Sequence, residues 1–156
     1  MQTKILLLLT ILAYSIIVSQ SFMYIIALKN VQTSLQANSY IELRKLIDIQ
    51  FNANFKIPMY AGLLGCGLLL ISNMKAPGSL LFITAAIAFV ALAADTVLAL
   101  KGNMPINAMI NSWPADQYPA NWADYRTRWM DIFQYRQFAN ITGFISLLAG
   151  AVFGSK

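Results

Sequence analysis

Polar and apolar positions divide the chain into four apolar runs, separated by two longer polar stretches and one tight turn. The first run, Ile5 to Leu28, is uncharged and longer than the roughly 20 residues a helix needs to cross a bilayer. Lys4 precedes it like the basic start of a signal peptide, but the run exceeds a signal core, so an uncleaved first span is expected. Ser15, Ser19, Gln20 and Tyr24 recur mostly at a four-residue step and are expected to face other helices. The second run, 57–74, sets Ala61 four residues before Gly65 and Gly62 four before Cys66, a spacing of small residues that lets helix backbones approach closely. Lys75 to Gly78 reads as a tight turn. The third run, 79–100, is rich in Ala and holds Asp95, the one acid inside an apolar run.

The fourth run, 136–154, ends a longer element. Neither Gly nor Pro occurs between Trp122 and Thr142, so one helix is expected from Trp122 to about Phe153, capped by Asn121. Such a helix is on the order of 48 Å long. The hydrocarbon core is only about 30 Å thick, so roughly its first three turns stand clear of lipid. The polar stretch 29–56 carries Ser39 and Glu42 at capping-box spacing. A helix over 40–54 follows, with Tyr40, Leu43, Ile47 and Phe51 on one face and Glu42, Lys45, Asp48 and Asn52 on the other. Pro58 predicts a break just beyond it. In the second polar stretch, 101–135, Met104 to Asn111 fits a short helix, and Pro114 and Pro119 bracket a loop. The expected fold is all-α: one integral membrane four-helix bundle over 1–156, with an amphipathic interfacial helix between spans 1 and 2 and a long, protruding fourth helix.

Composition agrees with the pattern. The chain is 58% hydrophobic and 11% charged, against roughly 25% charged in soluble domains. The net charge of +5 comes from dispersed bases, which suit lipid headgroups better than nucleic acid. Lys4, Lys75 and Lys156 fall on one side of a four-span topology and the other bases on the opposite side. That count places the two polar stretches in the cytoplasm, whereas the signal-like start argues for a cytoplasmic N-terminus.

Composition also narrows the chemistry. The lone Cys66 has no disulfide partner, and no His is present, which removes the commonest general base and metal ligand. No two acids stand three or four residues apart, so no metal site is expected. On the long helix, Arg126, Trp129, Phe133, Arg136 and Asn140 fall within about 40° of Trp122 at about 100° per residue, with Asp124 and Asp131 opposite. Arg128, four residues after Asp124, is placed to pair with it on the outer side. Arg136 at the start of span 4 and Asp95 at the end of span 3 share one side of the membrane, so an ion pair between them is expected. Two readings of this face stand side by side. One is packed core clamped by the ion pair; the other is an anion or oxyanion site walled by aromatic rings.

Asn103, Pro105 and Asn107 at alternate positions, followed by Trp113, Trp122, Arg126, Arg128, Trp129 and Arg136, resemble the anthrone oxygenase family of small four-span membrane proteins, many of them bacterial and without assigned function. The similarity is clearest over 101–150. It implies a bacterial cytoplasmic membrane and oxygenation of an anthrone, or of a related planar phenol or quinone-type molecule, without metal or flavin. It also implies roles: Asp95 as base, Arg126 or Arg136 as oxyanion holder, and Trp113, Trp122, Trp129, Phe133, Asn103, Asn107 and Asn140 as substrate contacts, although loop capping is the more ordinary role for Asn103 and Asn107. The chain departs from the family four and five residues after Trp129, where Phe133 and Gln134 replace a polar pair that often includes His. The competing expectation is a non-catalytic membrane module that binds lipid, a small molecule, a partner membrane protein or a second copy of itself. Transport is disfavoured, because Asp95 is the lone charged candidate within the spans and no internal repeat is visible.

Overall fold

The structure is a computed structural model that describes residues 2–114 and 116–154; the orientation marker Lys156 lies outside them. Every regular element among the described residues is helical. α1 (Gln2–Met23) passes through a π turn (Tyr24–Leu28) into α2 (Lys29–Ser34). α3 (Ala37–Asn54) and α4 (Lys56–Ser72) meet at a 47° bend. α5 (Leu80–Leu98) passes through a second π turn (Ala99–Asn103) into α6 (Met104–Ser112), and α7 (Trp122–Phe153) closes the chain. Among the described residues two helical stretches, Gln2–Ser34 and Leu80–Ser112, are long and apolar enough to cross a membrane, and the bent α3–α4 pair makes a third if it forms one span; α7, which carries the expected fourth span, is not among them.

α1 packs on α4 and α7, and α5 packs on the same two helices. The four therefore close around a shared apolar core that includes Leu7, Ile17, Leu69, Ala88, Leu92 and Leu147. Small residues set the spacing, as their four-residue step on α4 suggested. Gly62 and Gly65 are buried, and a Cβ added at Gly62 would come within about 3 Å of the Leu92 and Ile17 side chains. Gly143 on α7 matters most for the site. A Cβ there would overlap the Tyr14 hydroxyl and stand 3.0 Å from the Ala91 side chain. Glycine at this level lets a tyrosine on α1 reach the α7 backbone.

A second cluster caps the first. Tyr24, Tyr40, Ile41, Ile106, Ile110, Trp113, Trp129, Met130 and Phe133 bury one another where the π turns, α3, α6 and the first half of α7 converge.

Several expectations need correction. The helix of the first span runs on to Ser34 instead of ending near Leu28; the short helix expected over Met104 to Asn111 is present as α6 and continues α5 through the π turn. Lys29 to Ser34 are polar apart from Val31, but polar residues continue a helix readily when only one side of it must be buried. Ser15 and Ser19 turn their hydroxyls onto their own helix backbone, to the Leu12 and Ile16 carbonyls, and do not reach a neighbour. The inward stripe is Thr10, Tyr14, Ile17, Ser21 and Tyr24. No capping box forms at Ser39, because α3 starts two residues earlier, after an extended Gln36. Asn121 makes no side-chain cap to α7. The break expected just beyond the helix over 40–54 is present, at Phe55, and it leaves Pro58 in the first turn of α4, where its missing N–H costs no bond. The faces of α3 also differ from the expected pattern: Arg44 and Asp48 are buried with Tyr40 and Ile41, while Leu46 and Ile49 are exposed. Asp124 and Arg128 are both exposed and form no ion pair among the described residues.

Candidate functional site

The inward face of α7 carries Trp129, Phe133, Arg136, Asn140 and Gly143, all buried. They recur at three- and four-residue steps, so a single helix turns all of them to the interior, the first two into the cap and the rest toward the lower bundle. Arg136 Nε donates to Asp95 Oδ1 at 2.6 Å, and the Asp95 side chain is completely buried. Desolvating two charges costs several kcal/mol per ion, so such a pair persists only when further hydrogen bonds satisfy it. Arg136 Nη1 supplies one, donating to Asn103 Oδ1 at 3.1 Å.

From there a chain of polar groups climbs through the cap. Asn103 Nδ2 donates to the Trp129 carbonyl at 2.8 Å, and Trp129 Nε1 donates to Asn107 Oδ1 at 2.8 Å. Asn107 Nδ2 and Asn111 Nδ2 then donate to the two oxygens of Asp48, each at 2.7 Å. Asn103 and Asn107 are therefore occupied in holding Arg136 and Trp129, and they cap no loop. Amide and guanidinium N–H groups do not readily release protons at neutral pH, so this chain fixes geometry and does not conduct protons.

The rings expected to wall a slot pack on each other. Trp129 and Phe133 stack with centroids 5.0 Å apart and planes 18° apart, and Tyr24 lies 4.5 Å from Phe133. A small hollow of about 10 Å³ beside them is lined by Tyr24, Lys29, Met130, Phe133, Gln134 and Gln137. A larger cleft of about 350 Å³ lies elsewhere, between α3 and the loop after α6, and includes Ile41, Glu42, Lys45 and Tyr118. None of the predicted site residues lines it.

The predicted set does not form one site. Arg126 stands about 15 Å up the α7 axis from Arg136. It donates to the Leu35 carbonyl at 3.0 Å and lies 4.7 Å from the Trp122 ring. Trp122 is half-buried and Trp113 buried, both in the upper cap. The structure brings together Asp95, Arg136, Asn103, Trp129, Phe133 and Asn107, with Asn140 one turn from Arg136, and it leaves Arg126, Trp113 and Trp122 apart.

Sequence reasoning missed Asp48, Arg44, Gln32 and Tyr14, whereas Tyr24 faces other helices as expected. Arg44 is 3% exposed and has no carboxylate within ion-pair distance among the described residues. It lies 4.2 Å from the Trp129 ring centroid and donates to the Tyr24 hydroxyl at 3.2 Å. A cation over an indole face recovers part of its lost hydration. Burial pushes the nearby Tyr40 hydroxyl up to about 12, with the Arg44 guanidinium pulling the other way. The stabilising effect of neutral Tyr40 is therefore complete below the ordinary phenol range and is lost as pH rises through about 12. Among the described residues, no three His, Cys, Asp or Glu side chains come together.

Comparison with family models, curated proteins and solved structures gives no match to this chain.

Proposed function

We propose that this chain is a four-span integral membrane protein of the anthrone oxygenase type, which binds a planar hydrophobic phenol or quinone-type molecule and oxygenates it with dioxygen. The outer surface supports the membrane reading. Leu8, Leu12 and Ile16 on α1, Leu64 and Ile71 on α4, Ile83, Ile87 and Val90 on α5, and Ile145, Leu148 and Val152 on α7 are all exposed. An apolar girdle on every helix of a closed bundle suits lipid, and α7 adds the fourth crossing from about residue 136. The bases at 29, 45, 56, 101, 126 and 128 then stand at or beyond one end of the girdle.

The observation that carries the chemical reading is the buried Asp95–Arg136 pair, in which Asp95 Oδ2 takes no hydrogen bond from the protein and the Arg136 guanidinium lies 5.4 Å from the Phe133 ring. A buried carboxylate oxygen that no protein donor holds is placed to take a proton. The guanidinium next to it, with N–H groups beyond those already engaged, is placed to hold the enolate oxygen. For an anthrone, the methylene loses a proton to Asp95, and the resulting electron-rich carbon adds dioxygen. The oxygenated carbon then loses water to become a carbonyl: one CH2 and one O2 give one C=O and one H2O. Trp129 and Phe133 form the flat wall, and ligand entry requires Phe133 or Tyr24 to swing from its present contact. Phe133 and Gln134 stand where the resembled family often has a polar pair with His, so Asp95 carries the base role alone.

The test is conversion of an anthrone to its quinone by protein in lipid nanodiscs, followed by absorbance and oxygen uptake. Asp95→Asn is expected to lower the rate about 10²–10⁴-fold, while Asp131→Asn, on the exposed face, leaves it unchanged. The stacked Trp129 and Phe133 rings favour a second reading, a non-catalytic module whose core is already filled. Wild-type protein that neither consumes oxygen nor forms quinone selects that reading.

A further inference from the structure

Among the described residues, four buried side-chain oxygens in the lower bundle take no hydrogen bond from the protein: Tyr14 Oη, Ser21 Oγ, Asp95 Oδ2 and Asn140 Oδ1. They lie on three different helices, and three of them, on Tyr14, Asp95 and Asn140, fall within about one helical turn of each other along the bundle. Gly143 fixes the level of the Tyr14 hydroxyl, since a Cβ there would overlap that oxygen and stand 3.0 Å from Ala91. Asp95 is one turn beyond Ala91 on α5. Asn140 is just under one turn from Gly143 on α7, on the side toward Arg136. Gly143 and Ala91 meet, so Asp95, four residues on from Ala91, and Asn140, three back from Gly143, fall at a similar level. One helical turn advances about 5.4 Å, which sets that level roughly one turn along the bundle from the Tyr14 hydroxyl. Ser21 lies further along α1, at the level of Gln137, whose amide donates to its carbonyl.

The chemistry of the set is one-sided. Asp95 Oδ2 and Asn140 Oδ1 only accept, and one hydroxyl hydrogen on Tyr14 cannot satisfy both. A metal cation is disfavoured, because Arg136 already neutralises the carboxylate and added positive charge in apolar surroundings is costly. A neutral molecule that donates two hydrogen bonds and accepts one completes the group. Internal water at buried polar sites typically makes about three hydrogen bonds.

We propose that Tyr14, Asp95 and Asn140 hold an internal water, which gives Asp95 Oδ2 a neighbour able to take up and return a proton, as the amide chain above the ion pair is not. Water and the tyrosine hydroxyl each donate and accept, so they pass protons where amides and guanidinium do not. Tyr14 then acts as a positioning residue. The role in turnover rests on the oxygenase reading, whereas the water site itself does not, and it is measured without substrate.

Removing an unsatisfied hydroxyl from a dry core is neutral or stabilising, whereas removing one leg of a water bridge is destabilising. Tyr14→Phe in the full-length protein is therefore expected to lower Tm by about 2–4 °C. In an Asn140→Leu background the same change is expected to cost clearly less, since the bridge is already broken. A rise in Tm, no change, or additive losses would overturn the proposal. A second measurement needs no destabilised background: water-to-ring cross-relaxation in protein with proton-bearing tyrosine in a deuterated host. A signal from the Tyr14 ring, assigned by its loss in Tyr14→Phe, is expected. Its absence from the wild-type spectrum overturns the proposal whatever the catalytic outcome, and its presence with no anthrone turnover leaves the site standing while removing its catalytic role.

Discussion

Arg136→Met is expected to lower stability by about 3–5 kcal/mol, because it leaves the Asp95 carboxylate buried without its guanidinium. Asp95→Leu is expected to cost a similar amount for the mirror reason: the guanidinium then keeps only its bond to Asn103. The double variant Asp95→Leu/Arg136→Met is expected to recover most of the loss, since two apolar side chains of similar length replace two charges that cost several kcal/mol each to desolvate. Chemical unfolding in detergent measures all three. Losses near 1 kcal/mol in both single variants would mean that the pair is solvated, and lack of recovery in the double variant would mean that the side chains serve mainly to fill space. The double variant also separates two roles. If it is as stable as the wild type and does not turn over an anthrone, the pair is needed for chemistry as well as for clamping α5 to α7.

Trp129→Ala is the second large effect, at about 3–5 kcal/mol. The indole is 2% exposed and stacks on Phe133, and it carries the Arg44 guanidinium on its face and donates to Asn107. Truncation removes a large buried surface and strips a buried cation of its aromatic partner at once. Trp129→Phe divides the effect. It keeps a ring but leaves Asn107 Oδ1 without a donor, so about 1–3 kcal/mol of the loss should remain. Trp122→Ala, at a half-buried position, is expected to cost less than either. If Trp129→Phe proves as costly as Trp129→Ala, the N–H bond at the centre of the polar chain outweighs the stacking.

How far the sequence could be read depended on how local each signal was. The continuity of α7 and the inward turn of Trp129, Phe133, Arg136 and Asn140 follow from one helical period, and that period needs no knowledge of neighbours. The Asp95–Arg136 pair was legible because Asp95 is the one charged residue inside its apolar run and Arg136 opens the next. Asp48 was not legible. A helical wheel assigns an acid among Glu42, Lys45 and Asn52 to the outer face. What turns it inward is a pair of asparagine amides 59 and 63 residues further on. Arg44 was hidden for the same reason, since its compensation is a ring 4.2 Å away on a distant helix. The two π turns left no local signal either, and each turns a buried polar side chain, Tyr24 or Asn103, into the cap. The missing capping box at Ser39 is a lesson of the opposite kind: a motif complete in its residue types was overridden by where the preceding extended residue set the helix start.

All of this depends on α7 crossing the bilayer as one rod with its polar stripe turned inward, and a nitroxide scan tests that directly. Single cysteines placed along 126–152 in a Cys66→Ser background, spin-labelled in lipid bilayers, report contact with oxygen dissolved in lipid and with a water-soluble nickel relaxant. Oxygen contact is expected to peak at 138, 145, 148 and 152 and to fall at 136, 140, 143 and 147, with nickel contact confined to the exposed positions before about 135. A scan with no helical period, or nickel contact that persists through 145–152, would contradict a membrane-crossing α7 and the buried ion pair it carries.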